Sequence, residues 1–407
     1  MTTADALLQE IDELLPGVIA DRRWLHEHPE LGFEEVQTAA FIQQRLESLG
    51  VEDIRTGIAK TGITALIRGT GDGPGKDKVL LLRADIDALP ILEENSTEYV
   101  SQNPGTMHAC GHDAHTATLL GVTRLLLERR DQFAGTVKVL FQPAEERFPG
   151  GAKLMVAEGV LEDPHVDAVF GLHMANDTEV GSIKIAGGPV MASPDSFEIV
   201  IQGKGGHAAR PQAAIDPVVI GAQIVTALQT LVSRETDPMD NAVVSTTIFQ
   251  AGEAFNVIPD TARLGGTVRT FKPETRERMA RRIPELAQGI GEAMGATVEA
   301  TFTYGYPATV NDPAEAERIR RVAVGVLGEE KVLEMTPVMG GEDFSYFLNE
   351  RPGAYFFVGS KNEAKGLVWG HHHPKFDIDE ESMGVGMAVT VEVVLDWFAD
   401  GGERGEK

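Results

Sequence analysis

The sequence predicts a doubly wound α/β domain with a mixed sheet, interrupted by a ferredoxin-like α+β domain. Three observations predict it: short apolar runs alternating with helix-like stretches in the first half, a return of that pattern near the end, and a different, alternating texture between them. At 407 residues the chain is also longer than one hydrophobic core usually organises, so two domains are expected.

The runs "KVLLLRA" from Lys78, "TVKVLFQ" from Thr136 and "VDAVFGLH" from Val166 are strands buried on both faces, separated by the helical "ATLLGVTRLLLERR" and "AKLMVAEGVL". The pattern resumes with "AERIRRVAVGVLG" as helix, "GAYFFVG" as strand and "ESMGVGMAVTVEVVLDWFA" as a closing helix. Between them, Phe197, Ile199 and Ile201 alternate with polar positions, as in a sheet wet on one face. A helix from about Ile215 to Ser233 follows, then the strands "NAVVSTTIFQAG" and "TARLGGTVRTF", the charged helix "PETRERMARRIPELAQGIGEAMG" and the strand "TVEATFTYG". Strand, helix, strand, strand, helix, strand is the order of a split βαβ sandwich. Residues 1–188 and 306–407 are therefore expected to form one domain and 189–305 the insert. "GTGDGPGK" at Gly69–Lys76 reads as a loop tip, because no helix start follows it to cradle a phosphate.

Composition excludes some partners. The 62 acidic and 36 basic residues give a formal charge of −26, which repels nucleic acid and anionic lipid alike. The start, "MTTADALLQEIDELLPG", is acidic and spaces its apolar positions along a helix face, unlike a signal peptide, and no apolar run approaches the roughly 18 residues of a membrane span. Cys110 is the only cysteine and cannot form an internal disulfide. A cytoplasmic protein is expected, with the tail "DGGERGEK" disordered.

The chemistry collects at one place. Asp85 and Asp87 follow the first strand, Glu145 and Glu146 the second, and His173 ends the third, while "HHHP" at His371–Pro374 follows "GAYFFVG". Open α/β sheets bind ligands at the carboxyl ends of their strands. "MHACGHDAH" at Met107–His115 precedes a helix and reaches the same edge, so that of 11 histidines seven lie in the two clusters and at His173. Thiolate, imidazole and carboxylate together suit zinc, cobalt, nickel or manganese. Cys110, His112, Glu146, His173 and one histidine of "HHHP" exceed the ligand set of one tetrahedral ion, which implies two divalent ions. Glu145, pointing away from Glu146 in extended chain, is then the general base. In the insert, Arg269 and Asn256 can clamp a substrate carboxylate, and His207 can donate to a developing oxyanion.

The ordered motifs "WLHEHPELGFEE", "RADIDALP", "MHACGHDAHTA", "FQPAEE", "GLH", "GKGGHAARP", "NVIPDTARLGGTVR", "GGEDF" and "HHHPKFDID" resemble the family-20 metallopeptidases. More narrowly they are similar to the amidohydrolase branch: hippurate hydrolases, N-acyl-amino-acid deacetylases, aminoacylases, zinc carboxypeptidases and indole-acetyl-amino-acid hydrolases. The resemblance implies that the insert is a lid that mediates homodimers or dimer-based tetramers. It matches Cys110, His112, Glu146 and His173 to metal positions, Glu145 to the base, and His207, Asn256 and Arg269 to substrate contacts, with His207 reaching the other subunit's site. The H-x-P register selects His372 as the last ligand, with His373 as the competitor. Asp85 stands where the wider family has a ligand histidine, so Asp87 is left without an imidazole to orient. His26 and His28 read as structural, and Glu342 and Asp343 as lining or fixing the pocket.

The implied reaction is hydrolysis of an N-acyl-L-amino acid by two divalent ions, zinc first among them, or carboxypeptidase action on dipeptides by the same site. Two readings from other classes are a cysteine hydrolase, with Cys110 as nucleophile and His112 or His115 as base, and a non-catalytic ligand-binding protein.

Overall fold

A computed structural model of the chain describes residues 3–403; Met1, Thr2 and Arg404–Lys407 lie outside it. It divides into two compact units. The first takes in residues up to Val190, Val310–Thr336 and the chain from Asp343 on; the second is Met191–Thr309 together with Pro337–Glu342. The sequence reading placed the insert at 189–305 and gave no sign that Pro337–Glu342 belongs with it.

The first unit is built on an eight-stranded sheet. Its strands run in the spatial order Glu52–Ile58, Gly62–Arg68, Thr136–Gln142, Val79–Asp85, Ala168–Glu179, Gly353–Lys361, Ile183–Ile185, Val332–Glu334. The four central strands are mutually parallel, while the Glu52–Ile58 and Gly62–Arg68 pair is antiparallel to its neighbours, which makes the sheet mixed. Val79–Asp85 is buried along its whole length, the environment that demands a run such as "VLLLRAD". Ala168–Glu179 continues six residues beyond His173, where the sequence reading ended it.

The helix His112–Glu128 packs on Val79–Asp85 and against the helices Thr3–Glu27 and Glu381–Ala399. Glu381–Ala399 is the one helix among the described residues long and apolar enough to cross a bilayer, but 72% of that stretch is buried inside the protein. It is a core helix: Met383, Met387, Val389, Val391, Val393 and Val394, spread over more than half of its circumference, are all buried in the core. The tail was expected to be disordered, yet its first residues are tied down: Asp400 and the Glu403 carbonyl both accept from the Arg318 guanidinium. The rest of "DGGERGEK", from Arg404, lies outside the described residues.

In the second unit the sheet runs Ala242–Ala251, Thr261–Thr270, Ser193–Gln202, Thr297–Thr303, every neighbouring pair antiparallel. With the helices Pro217–Ser233 and Pro273–Ala293 this is the ferredoxin-like order expected of the insert. Phe197, Ile199 and Ile201 face a core shared with Ile220, Ile224, Leu228, Met279 and Ile283. Asp216 starts the first helix by accepting the Val218 and Val219 N–H groups.

Candidate metal centre

Four chain segments of the first unit bring donors together. His112 is the first residue of its helix, turned into place by Gly111 at φ 92°, a left-handed conformation that glycine adopts at no steric cost. Cys110 precedes it, with Sγ 3.5 Å from His173 Nε2. Glu145 and Glu146 lie on the turn after Thr136–Gln142, and His372 arrives on the loop after Gly353–Lys361. Three overlapping groups result: Cys110 with His112 and His173, Cys110 with Glu146 and His372, and His112 with Glu145 and Glu146. In each, one donor atom per residue lies within 4.8 Å of the others.

The tautomers are those a metal needs. His112 Nδ1–H donates to the Asp87 carbonyl at 2.9 Å, and His173 Nδ1–H donates to the Met174 carbonyl at 2.7 Å. A carbonyl only accepts, so both rings carry a proton on Nδ1 and turn Nε2 toward the donor cluster, where on His112 it can hold either a second proton or a cation. His112 Nε2 is buried without a hydrogen-bond partner. A buried polar atom left in that condition is costly unless something outside the chain pairs with it.

Electrostatics point the same way. Burial opposes charge on His112, but Asp85, Asp87 and Glu146 around it raise its pKa to about 10. Burial, together with Glu146, Glu145 and Asp85, pushes the Cys110 thiol well up. Burial and the neighbouring His115 and His371 push His173 well down, leaving a neutral imidazole as a lone-pair donor. The site is therefore rich in acceptors and short of positive charge. Divalent cations fit it, with Cys110, His112, Glu145, Glu146, His173 and His372 as the residues in reach.

The "HHHP" run is divided by its surroundings. His372 adopts φ 63°, donates its backbone N–H to the Ala109 carbonyl at 2.7 Å and places Nε2 2.9 Å from Glu146 Oε1. His371 donates Nε2–H to the Met174 carbonyl, and His373 stacks on Trp369 with its Nδ1 accepting from Lys375 N–H.

Asp87 corrects the sequence reading. It does have an imidazole to orient, since Oδ1 lies 3.3 Å from His112 Nδ1, and it also accepts the backbone N–H groups of Glu145 and Glu146, each at 3.0 Å. Asp85 is held by Arg83 at 2.7 Å and by His115 Nδ1 at 2.6 Å. His115 Nε2 accepts the Met174 N–H, so both its nitrogens are engaged and neither can serve Cys110 as a base. Asp343 anchors Arg83, Gln142 and the Ala152 N–H. Asp113 turns away from the donors, accepting from Arg22 and His26, each at 2.8 Å, while Arg22 also reaches Asp377 of "HHHPKFDID" at 2.7 Å. His26 is thus structural, as expected, and His28 stacks on Trp24.

In the second unit, His207 and Asn256 are brought together but Arg269 is not. His207 pairs with Val257, and the Ala208 N–H donates to the Asn256 carbonyl at 3.0 Å. This contact hangs from the Thr261 end of strand Thr261–Thr270, where Asp260 binds Gly203 and Gly205. Arg269 lies at the other end, about 25 Å away at the rise of a β-strand, with donors on the Met339 and Val268 carbonyls and Thr267 Oγ1. One copy of this unit cannot close Asn256 and Arg269 on a single carboxylate as the sequence reading had it.

Overlapping groups of metal-donor side chains at the carboxyl edge of an α/β sheet are the arrangement of a metal-dependent hydrolase. Comparison with known proteins agrees. Residues 81–396 match the family described as Peptidase family M20/M25/M40. The N-acetylcysteine deacetylase of Bacillus subtilis is 43% identical over 374 residues, 92% of this chain and 95% of that protein. The N-acyl-L-amino acid amidohydrolase of Geobacillus stearothermophilus is 47% identical over 309 residues, 76% of this chain and 82% of that one. The crystal structure of a dinuclear metal-binding peptidase of the M20 family from Bacillus subtilis superposes with a TM-score of 0.81 at 38% identity, covering 95% of this chain and 99% of that one. The chain belongs to peptidase family M20/M25/M40, and within it is a metal-dependent amidohydrolase.

Proposed function

We propose that the protein hydrolyses the amide bond of N-acyl-L-amino acids, releasing a carboxylic acid and a free amino acid. The observation that carries this is the cluster of overlapping donor groups around Cys110, His112, Glu145, Glu146, His173 and His372; on this reading Cys110, His112, Glu146, His173 and His372 hold two divalent cations and Glu145 is the base. The relatives named for N-acetylcysteine and N-acyl-L-amino acids support the substrate class.

When bound, the cations supply Lewis acidity, lowering the pKa of water and polarising the scissile carbonyl. The chain's own residues do the rest. Glu145 takes the proton from the attacking water and delivers it to the leaving nitrogen. Arg269 holds the substrate carboxylate, for which a planar guanidinium is shaped. His207 donates to the carbonyl oxygen as charge builds on it, and Asn256 acts beside it.

The separation of Arg269 from the His207–Asn256 pair supports a homodimer in which each copy lends that pair to the other's site. Phe255, fully exposed beside Asn256, supports the same reading, since a bare aromatic at such a tip gains by meeting a second chain. Thiolate and imidazole donors favour zinc, with manganese, cobalt and nickel as alternatives. A lone cysteine without a disulfide partner supports a cytoplasmic setting.

The test is a panel of N-acetyl, N-benzoyl and N-carbobenzoxy amino acids with matching dipeptides, assayed after chelation and after return of each metal. Activity on the acyl amino acids should vanish on chelation and come back with metal. Full activity in the chelated enzyme sinks the proposal, and turnover confined to dipeptides replaces it with a carboxypeptidase.

A further inference from the structure

The segment "PELGFEE" is a motif that the reaction above does not use, yet it ends on a fully buried carboxylate, Glu35. Glu35 occupies the N-cap position of the helix Val36–Ser48 without capping it. Glu30 does that work instead, accepting from the Gln37 and Thr38 N–H groups at 3.1 and 2.9 Å. The Glu35 carboxylate is thereby released to face elsewhere. Its Oε1 accepts the Ala144 N–H at 2.9 Å, and its Oε2 accepts the Thr61 hydroxyl at 2.6 Å.

Ala144 is the residue immediately before Glu145 and Glu146, and it is held at φ 51°, a left-handed conformation that a residue with a Cβ rarely adopts. A backbone in such a state persists only where its surroundings impose it. Here three consecutive N–H groups are captured by two buried carboxylates: Glu35 takes Ala144, and Asp87 takes Glu145 and Glu146. The rest of the motif braces the same turn. Arg147 donates to the Gly32 carbonyl at 3.0 Å, and a Cβ on Gly32 would stand only 3.0 Å from both the Ala144 Cα and Cβ. Gly32 is thus the residue that lets the motif lie flat on the turn.

We propose that Glu35 is a positioning residue which, together with Asp87, clamps the Ala144–Glu146 turn and so sets where the Glu145 and Glu146 carboxylates stand. The inference rests on the reading of Glu145 as base and Glu146 as metal ligand. Glu35 itself never meets substrate. Its influence passes through one backbone N–H.

The experiment compares Glu35→Leu, which removes both acceptor atoms at similar volume, with Glu35→Gln, which keeps an oxygen for the Ala144 N–H. Glu35→Leu should lower kcat about tenfold at little change in KM and weaken zinc binding to the metal-free protein by a similar factor, as loss of an outer anchor does. Glu35→Gln should restore most of both. Amide hydrogen exchange in the metal-free protein should quicken at 144–146 in Glu35→Leu and stay unchanged along Val36–Ser48. Thr61→Val, which frees only the second carboxylate oxygen, covers the case in which Glu35→Leu fails to fold, and should cost about threefold in kcat. Wild-type kcat, zinc affinity and exchange in the folded variants overturn the proposal, as does equal loss in Glu35→Gln and Glu35→Leu. If Glu145→Gln leaves turnover intact, the fault lies with the underlying reading of the base instead.

Discussion

Cys110, His112 and His173 are buried and held by partners inside the fold, whereas the His207 and Asn256 side chains are exposed. The contrast shows what a single copy of the chain can define. A buried side chain is fixed by neighbours inside the fold, so those neighbours state its role, and an atom they leave unpaired, such as His112 Nε2, marks where a ligand belongs. An exposed group finds its partner outside, in a substrate or in a second chain.

The strongest break in this comparison comes from Glu145→Gln. If the buried cluster is self-sufficient for metal and Glu145 supplies only proton transfer, kcat should fall by about 10²–10⁴ while metal content by elemental analysis stays at the wild-type level. Parallel loss of metal would place Glu145 among the ligands instead.

The exposed half is sharpened by mixing subunits. Glu145→Gln and His207→Ala are each expected to be nearly inactive, but co-refolded they should recover about a quarter of wild-type activity, because half the dimers then carry one complete site. No recovery would assign His207 to the site of its own chain.

The smallest effect concerns the brace beneath the cluster. Burial disfavours charge on His26, but Asp113 and Glu93 on either side raise its pKa to about 9 from an ordinary 6.5. The folded state therefore holds this proton more tightly, and the stability it adds is fully present below pH 6.5 and lost as pH rises through 9. Relative to His26→Asn, the wild type should lose at most about 3 kcal/mol across that window, read from urea midpoints. Parallel curves would show that the charge on His26 does not matter to folding.

Much of this was legible in the sequence, for reasons visible in particular residues. "VLLLRAD" and "VKVLFQ" announce strands because both faces are buried, and the donors announce themselves by landing at the ends of those strands. The strand Glu52–Ile58 was not foreseen because none of its side chains is buried, so it carries no hydrophobic signature. Asp87 was misjudged because its imidazole partner is His112, 25 positions away, and not a neighbour in its own motif. Glu35 acts on a residue 109 positions distant through a backbone atom, and no side-chain pattern reports that. The Asn256–Arg269 clamp looked plausible because the two are close in sequence, yet a strand carries Arg269 away from the hairpin that holds Asn256.

The discontinuity of the first unit has a consequence for synthesis. Its sheet places Gly353–Lys361 between Ala168–Glu179 and Ile183–Ile185, so the ribosome must finish the whole of Met191–Thr309 before that gap can be filled. The ferredoxin-like unit, nearly contiguous and with its own core, can complete itself while the larger sheet waits. His372 emerges later still. A nascent or truncated chain that ends before it has Cys110, His112, Glu146 and His173 but not His372, so the full set of proposed donors exists only once that loop has been made.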